Sequence, residues 1–286
     1  MLPERRRLFD VCKTLRARCS TIGRVRRVRV LVPVALLALP VGTIAAGRAD
    51  SHTLLRTATA TMFSGTATVG PLFRSASSTQ HFCTASVISS PQGDVLLTAA
   101  HCVEGSGAGY VFAPGFHNGI SPYGRWTVTA AYLDPAWLAN QNPERDFAFL
   151  TVAPKWIDGR RLEIQQVTSA NQLGLRAIAG QDVTIPAYPG GGDNNPVICT
   201  VPLHYDGPYP SFECNPYVGG TSGAPWLVHT RNGSVVVGLV GGLHQGGCYS
   251  FISYSPVLGH AAQQTYERAA AGDRGDRAPP PGGDGC

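Results

Sequence analysis

The sequence predicts an all-β protein on three observations. Short apolar stretches recur between turns of Gly, Pro, Asn and Ser, at residues 66–69, 82–88, 95–99, 126–132, 147–152, 183–187, 234–240 and 250–254. Many short strands at such spacing suggest a barrel or a sandwich. No run has the period and length of a helix before residues 260–271, HAAQQTYERAAA, which read as a short C-terminal one. Finally, 34 Gly and 22 Pro supply turns, while 43% hydrophobic and only 14% charged residues leave enough apolar surface for a core.

The formal net charge of +5 suggests nucleic acid only until it is divided along the chain. Residues 1–29 hold ten Lys or Arg against two acids, and the remainder holds 13 basic against 16 acidic residues. The body is therefore mildly acidic, and no nucleic-acid partner is expected. The basic head runs into residues 30–46, VLVPVALLALPVGTIAA, an apolar run ending in small residues. That is the layout of a secretory signal, here residues 1–49, with cleavage after Gly47 or Ala49. A retained anchor is the alternative, but the run is short of the ~20 residues that span a bilayer, and Pro33 and Pro40 interrupt it. Residues 50–61, rich in Ser, Thr and Ala, read as a linker or short pro-segment.

Three stretches further on carry chemistry. Gly219-Gly220-Thr221-Ser222-Gly223-Ala224-Pro225 is a turn with a serine hydroxyl at its centre. A serine is a poor nucleophile at neutral pH unless a histidine takes its proton and a carboxylate holds that histidine. Leu97-Thr98-Ala99-Ala100-His101-Cys102 places a histidine at the end of an apolar run, and Arg145-Asp146-Phe147-Ala148-Phe149-Leu150 places an aspartate at the mouth of another. Alone, Ser222 reads as a turn residue, His101 as a core histidine and Asp146 as half of a surface ion pair. Arg145 and Asp146 make a poor pair, because neighbours on a strand point to opposite faces, so Asp146 is expected to face a cleft.

In this order and spacing the three stretches resemble the chymotrypsin-like serine peptidases, most closely their secreted bacterial branch, over residues 62–264. The resemblance implies two six-stranded antiparallel β-barrels with a cleft between them. The N-terminal barrel, 62–156, would carry His101 and Asp146. After a crossover at 157–174, the C-terminal barrel, 175–267, would carry Ser222, and 268–286 would be a disordered tail. It also implies peptide hydrolysis by a His101–Asp146–Ser222 triad through an acyl-enzyme, with an oxyanion hole at the N–H groups of Gly220 and Ser222. No metal or organic cofactor enters that chemistry. The expected product is a secreted, monomeric endopeptidase acting on proteins or peptides, with no stable membrane association after signal cleavage.

Of eight cysteines, Cys12 and Cys19 would leave with the signal. The resemblance implies a Cys83–Cys102 bridge that restrains the histidine loop. Cys199 and Cys214 would close a loop before the serine turn, a bridge of about 3 kcal/mol on loop entropy. Cys248 and Cys286 are left to pair with each other, to pair between chains or to stay free. A metal reading has no C-x-x-C spacing behind it.

The resemblance bears on specificity as well. The position of the acidic pocket floor in trypsin-like members falls at Pro216, so cleavage after Lys or Arg is disfavoured, since an unpaired buried charge costs several kcal/mol. Gly241 and Gly242 leave the wall open to a large neutral side chain. His244 is similar to the histidine by which glutamate-specific relatives recognise an acidic residue, and makes that the second reading. Thr221 stands where animal members carry an acidic residue, so activation through an ion pair to a new amino terminus is not expected. Two rival classes remain: an inactive binding protein of the same fold, and an esterase, which the Gly-x-Ser-Gly turn and the residue order oppose.

Overall fold

The apolar runs that alternate least are buried on both faces. Strands Val95–Thr98 and Ala148–Val152 are buried at every position and run antiparallel, Leu96 opposite Leu150 and Leu97 opposite Phe149. A strand with one solvated face alternates apolar and polar residues, so a second layer must cover these two. Part of that cover is the helix Gly259–Ala271, which buries Ala262 and Ala269 in the same core. Its Tyr266 stands edge-on to Phe149 at 5.6 Å and donates a hydrogen bond to the Ser89 carbonyl at 2.8 Å. The expected terminal helix is thus present, packed on the N-terminal barrel.

The structure, a computed structural model, describes residues 57–192 and 195–286. The expected signal at 1–49, its cleavage points, Cys12, Cys19 and residues 50–56 lie outside the described residues. Six strands close into a barrel in the order Val69–Phe73, His81–Ile88, Val95–Thr98, Ala148–Val152, Trp126–Leu133 and Val111–Phe112. Closure leaves no open sheet edge. In the C-terminal half, Gln172–Leu173, Gly233–Leu239, Pro225–Thr230, Asp182–Ala187, Val197–Pro202 and Thr61–Met62 form a six-stranded sheet. Ala58–Thr59, His204–Asp206, Tyr209–Asn215 and Ile252–Tyr254 form a four-stranded one. Residues of both sheets share a second core around Phe212, whose ring is edge-on to Tyr217 and Trp226 at 4.9 and 5.1 Å. The Cys199–Cys214 disulfide joins the two sheets. Among the described residues no helix is long and apolar enough to cross a membrane.

Two segments differ from expectation. Residues 57–61, read as linker, supply strand: Ala58 and Thr59 pair with Cys214 and Asn215, and Thr61 and Met62 pair with Ile198 and Val197. The main chain does the pairing there, so a polar Thr-Ala sequence suffices, with Ala58 and Ala60 half-covered by the second core. The 268–286 tail, read as disordered, begins inside the helix and then runs along the N-terminal barrel. Ala278 exchanges two backbone hydrogen bonds with Gly105, at 2.7 and 3.0 Å. Asp276 accepts from the Leu133 amide at 2.9 Å and pairs with Arg268 at 2.8 Å. A run of Gly and Pro has no periodicity to reveal such docking, because other segments supply its partners.

A buried histidine gives this fold a pH dependence. His81 is 3% exposed and packed edge-on against Phe73, Phe116 and Tyr188. Among the described residues neither ring nitrogen has a partner, and burial lowers its pKa from 6.5 to about 4. Since the folded value lies below the unfolded one, the unfolded chain binds the extra proton between them. Stability contributed by neutral His81 is full above 6.5, falls as pH drops towards 4 and levels off below it, by roughly 3 kcal/mol in all. Urea midpoints measured across that window are expected to fall for the wild type and to stay flatter for His81→Leu. Equal slopes would acquit His81.

Candidate active site

Local chemistry sets the aspartate. Asn142 accepts from the Glu144 amide at 2.9 Å and Pro143 opens a 3-10 turn, Pro143–Arg145, which ends at Asp146. Arg145 turns outwards to Asp134 and Glu144, both at 3.9 Å. Asp146 turns inwards, with a fully buried side chain. A buried carboxylate is costly unless its oxygens are hydrogen-bonded, and here three donors serve it. Oδ1 accepts from the His101 amide at 2.9 Å; Oδ2 accepts from His101 Nδ1 at 2.7 Å and from the Gly242 amide at 2.8 Å. An ionised carboxylate only accepts, so this contact fixes the proton on Nδ1 and leaves Nε2 as the free acceptor.

His101 lies in the 3-10 turn Ala100–Cys102, stapled to strand His81–Ile88 by Cys83–Cys102. The serine turn is held by the same strand: the Thr84 amide donates to the Ser222 carbonyl at 2.8 Å and the Thr84 hydroxyl to the Gly220 carbonyl at 3.0 Å. Gly220 has φ +96°, and a Cβ there would come 2.2 Å from the Gly190 nitrogen, so only glycine fits. Among the described residues neither the Gly220 nor the Ser222 amide has a hydrogen-bond partner. N–H groups without partners can receive an oxyanion where they converge on it.

His101 and Ser222 line one cavity of about 370 Å³. Its lining also includes Val218, Gly219 and the stretch His244–Ser250. The pocket residues expected from sequence are distributed differently. His244 lines the cavity, with Nδ1 donating to the Asp284 carbonyl at 3.1 Å. Pro216 is exposed and does not line it. Gly241 and Gly242 back onto Asp146: a Cβ on Gly241 would lie 3.1 Å from Oδ2, and Gly242 gives its amide to the same atom. The chain then turns at Gly242, φ +79°, into the 3-10 turn Leu243–Gly246, so the cavity wall is formed further along the chain than Gly241 and Gly242.

Sequence reasoning missed Tyr249 and Asp284, both of which line the cavity. The available signal was the leftover cysteine pair, because Cys248–Cys286 is a disulfide and draws the tail to this wall. His101 with Cys83 and Cys102, and His244 with Cys248 and Cys286, group possible metal ligands within 4.8 Å. In each group the two sulfurs are bonded to each other, so neither offers a thiolate.

A closed antiparallel barrel beside a second β half, with a histidine–carboxylate pair and a serine turn on one cavity, defines a class, the chymotrypsin-like fold. The chain belongs to the trypsin-like peptidase family, whose domain matches residues 83–239. Among solved structures it is similar to the protease Anisep from Arthrobacter nicotinovorans, at 25% identity and TM-score 0.61 over 73% of this chain and 98% of that one. It is similar also to the thermostable serine protease AL20 from an extremophilic microorganism, at 25% identity and TM-score 0.60 over 72% and 98%. A Glu endopeptidase shares the fold at 18% identity and TM-score 0.58, over 75% and 97%. No curated protein matches the chain.

Proposed function

We propose that this protein is a secreted serine endopeptidase in which Ser222 is the nucleophile, His101 the general base and Asp146 the residue that orients the base. The reading is supported above all by the Asp146–His101 pair, closed to solvent on the carboxylate side and open to the cavity that Ser222 lines. Ser222 Oγ attacks the substrate carbonyl carbon while His101 Nε2 takes its proton. The Gly220 and Ser222 amides stabilise the oxyanion, and His101 then protonates the leaving amine. Water, activated in turn by His101, hydrolyses the acyl-enzyme. Asp146 stabilises the imidazolium without taking its proton.

The residue on the acyl side of the scissile bond is proposed to be neutral. Among the described residues the cavity lining holds no Lys or Arg, and it includes Asp284, which opposes an acidic side chain. His244 Nδ1 already donates to a backbone carbonyl, so in the neutral ring Nε2 is an acceptor and gives a carboxylate no donor. Three disulfides support an oxidising, extracellular setting. The protein is proposed to act as a monomer after removal of residues 1–49.

A fluorophosphonate probe followed by peptide mapping is expected to mark Ser222, and a mixed peptide library is expected to be cut after neutral residues. Absence of labelling would favour the inactive binding protein. A profile dominated by Lys or Arg, or one dominated by Glu and lost in His244→Ala, would overturn the neutral assignment.

A further inference from the structure

The last nine residues, 278–286, lie outside the 83–239 match yet are fastened at three points. The first is the Ala278 pairing with Gly105, four residues beyond His101. At the second, the Gln141 side chain clamps the chain from both directions: Nε2 donates to the Pro280 carbonyl at 2.9 Å and Oε1 accepts from the Gly282 amide at 2.7 Å. The third is the cavity wall, where Gln245 Nε2 donates to the Gly282 carbonyl at 2.8 Å, His244 Nδ1 to the Asp284 carbonyl at 3.1 Å, and Cys286 is bonded to Cys248. Gln141 precedes Asp146 in the chain, and His244 follows Gly242, the residue whose amide holds Asp146 from the other side. The segment therefore bridges the two loops that flank the aspartate, and brings Asp284 into the cavity that His101 and Ser222 line.

A substrate peptide longer than the cavity has to leave it at both ends. At the His244–Asp284 wall the protein's own chain lines the cavity, and its main-chain groups already occupy the side chains of Gln141, His244 and Gln245. We propose that residues 278–286 are a latched strap that closes one end of the substrate cleft and so determines specificity by length: few substrate residues are accommodated on that side of the scissile bond. The Cys248–Cys286 bond is the latch. It holds a segment that has no apolar core of its own, its Gly and Pro residues being too short to bury much surface.

The proposal rests on the peptidase reading, and the test separates the two. Two series of peptides share one scissile bond and are lengthened residue by residue, one towards the amino end and the other towards the carboxyl end. Each is assayed with the full chain as wild type, Gln141→Ala, and the double variant Cys286→Ser with Gln141→Ala; hydrolysis of a short ester and the rate of fluorophosphonate labelling report that each is folded. In the wild type, kcat/KM is expected to fall by at least about tenfold once one series exceeds the admitted length, and the other series is expected to show no such step. The double variant should recover most of that loss on long peptides, Gln141→Ala should recover part of it, and the short ester should be turned over alike by all. Hydrolysis with coincident length profiles in wild type and variants would overturn the strap and leave the peptidase intact. A wild type that neither labels nor hydrolyses any member would overturn both.

Discussion

Ser222→Ala is expected to abolish hydrolysis of peptides and esters while leaving the protein folded. Removing the nucleophile of another serine protease costs on the order of 10⁶ in kcat, and a loss of that order is expected here. Stability should change little, because the groups that hold the turn are main-chain ones: the Ser222 carbonyl accepts from Thr84 and the Gly223 amide donates to Val240. Among the described residues the Ser222 hydroxyl makes no hydrogen bond, so its loss leaves no buried group stranded. The change should stay within about 0.5 kcal/mol. Steady-state assays on the purified variant, with urea unfolding alongside, check both halves. Activity well above background after contaminating proteases are excluded would remove Ser222 from its role; a large loss of stability would mean that the hydroxyl is structural.

Asp146→Asn is expected to damage both catalysis and stability, for one reason. The carboxylate accepts from three N–H donors, and an amide can present acceptor lone pairs at only one of its two terminal atoms. With its oxygen at the Oδ2 position, the NH2 group faces the His101 amide, donor against donor. With its oxygen at Oδ1, the NH2 group faces the Gly242 amide and donates to His101 Nδ1, which forces the ring proton onto Nε2 and leaves no base for Ser222. Stranding a buried donor costs about 1–3 kcal/mol. The wrong tautomer cost about 10⁴ in kcat at the corresponding aspartate of another serine protease, and a similar drop is expected here. The tautomer is readable directly by nitrogen NMR of the ring. A variant with wild-type turnover would show that Asp146 holds the loop and nothing more.

Much of the N-terminal barrel was legible because its strands are long, apolar and rich in β-branched residues. Expected strands at 82–88, 95–99, 126–132 and 147–152 correspond to His81–Ile88, Val95–Thr98, Trp126–Leu133 and Ala148–Val152. The expected strand at 66–69 is displaced to Val69–Phe73, whose Gly70-Pro71 reads as a turn in isolation. Gly70 is required there because a Cβ would stand 2.2 Å from the carbonyl oxygen of Ala113, a residue far along the chain that no local pattern announces. Strands Val197–Pro202, Tyr209–Asn215 and Pro225–Thr230 were missed for a related reason. Each carries proline, which is a turn signal locally and is tolerated here where the ladder does not need that N–H.

By itself the sequence determined the all-β class, the terminal helix, and the three stretches that hold His101, Asp146 and Ser222. Those depend on local periodicity and on residue chemistry, which are carried by the residues themselves. Tertiary structure alone decided the cavity wall. Pro216, Gly241 and Gly242 were displaced from it, and His244, Tyr249 and Asp284 were gathered onto it by a turn at Gly242 and by the pairing of Cys248 with Cys286. Two cysteines 38 residues apart leave several pairings open in one dimension. The helix Gly259–Ala271 packs on the N-terminal barrel, and the chain that follows it reaches Tyr132, Gln141 and His244 through main-chain carbonyls whose partners are far away in the sequence.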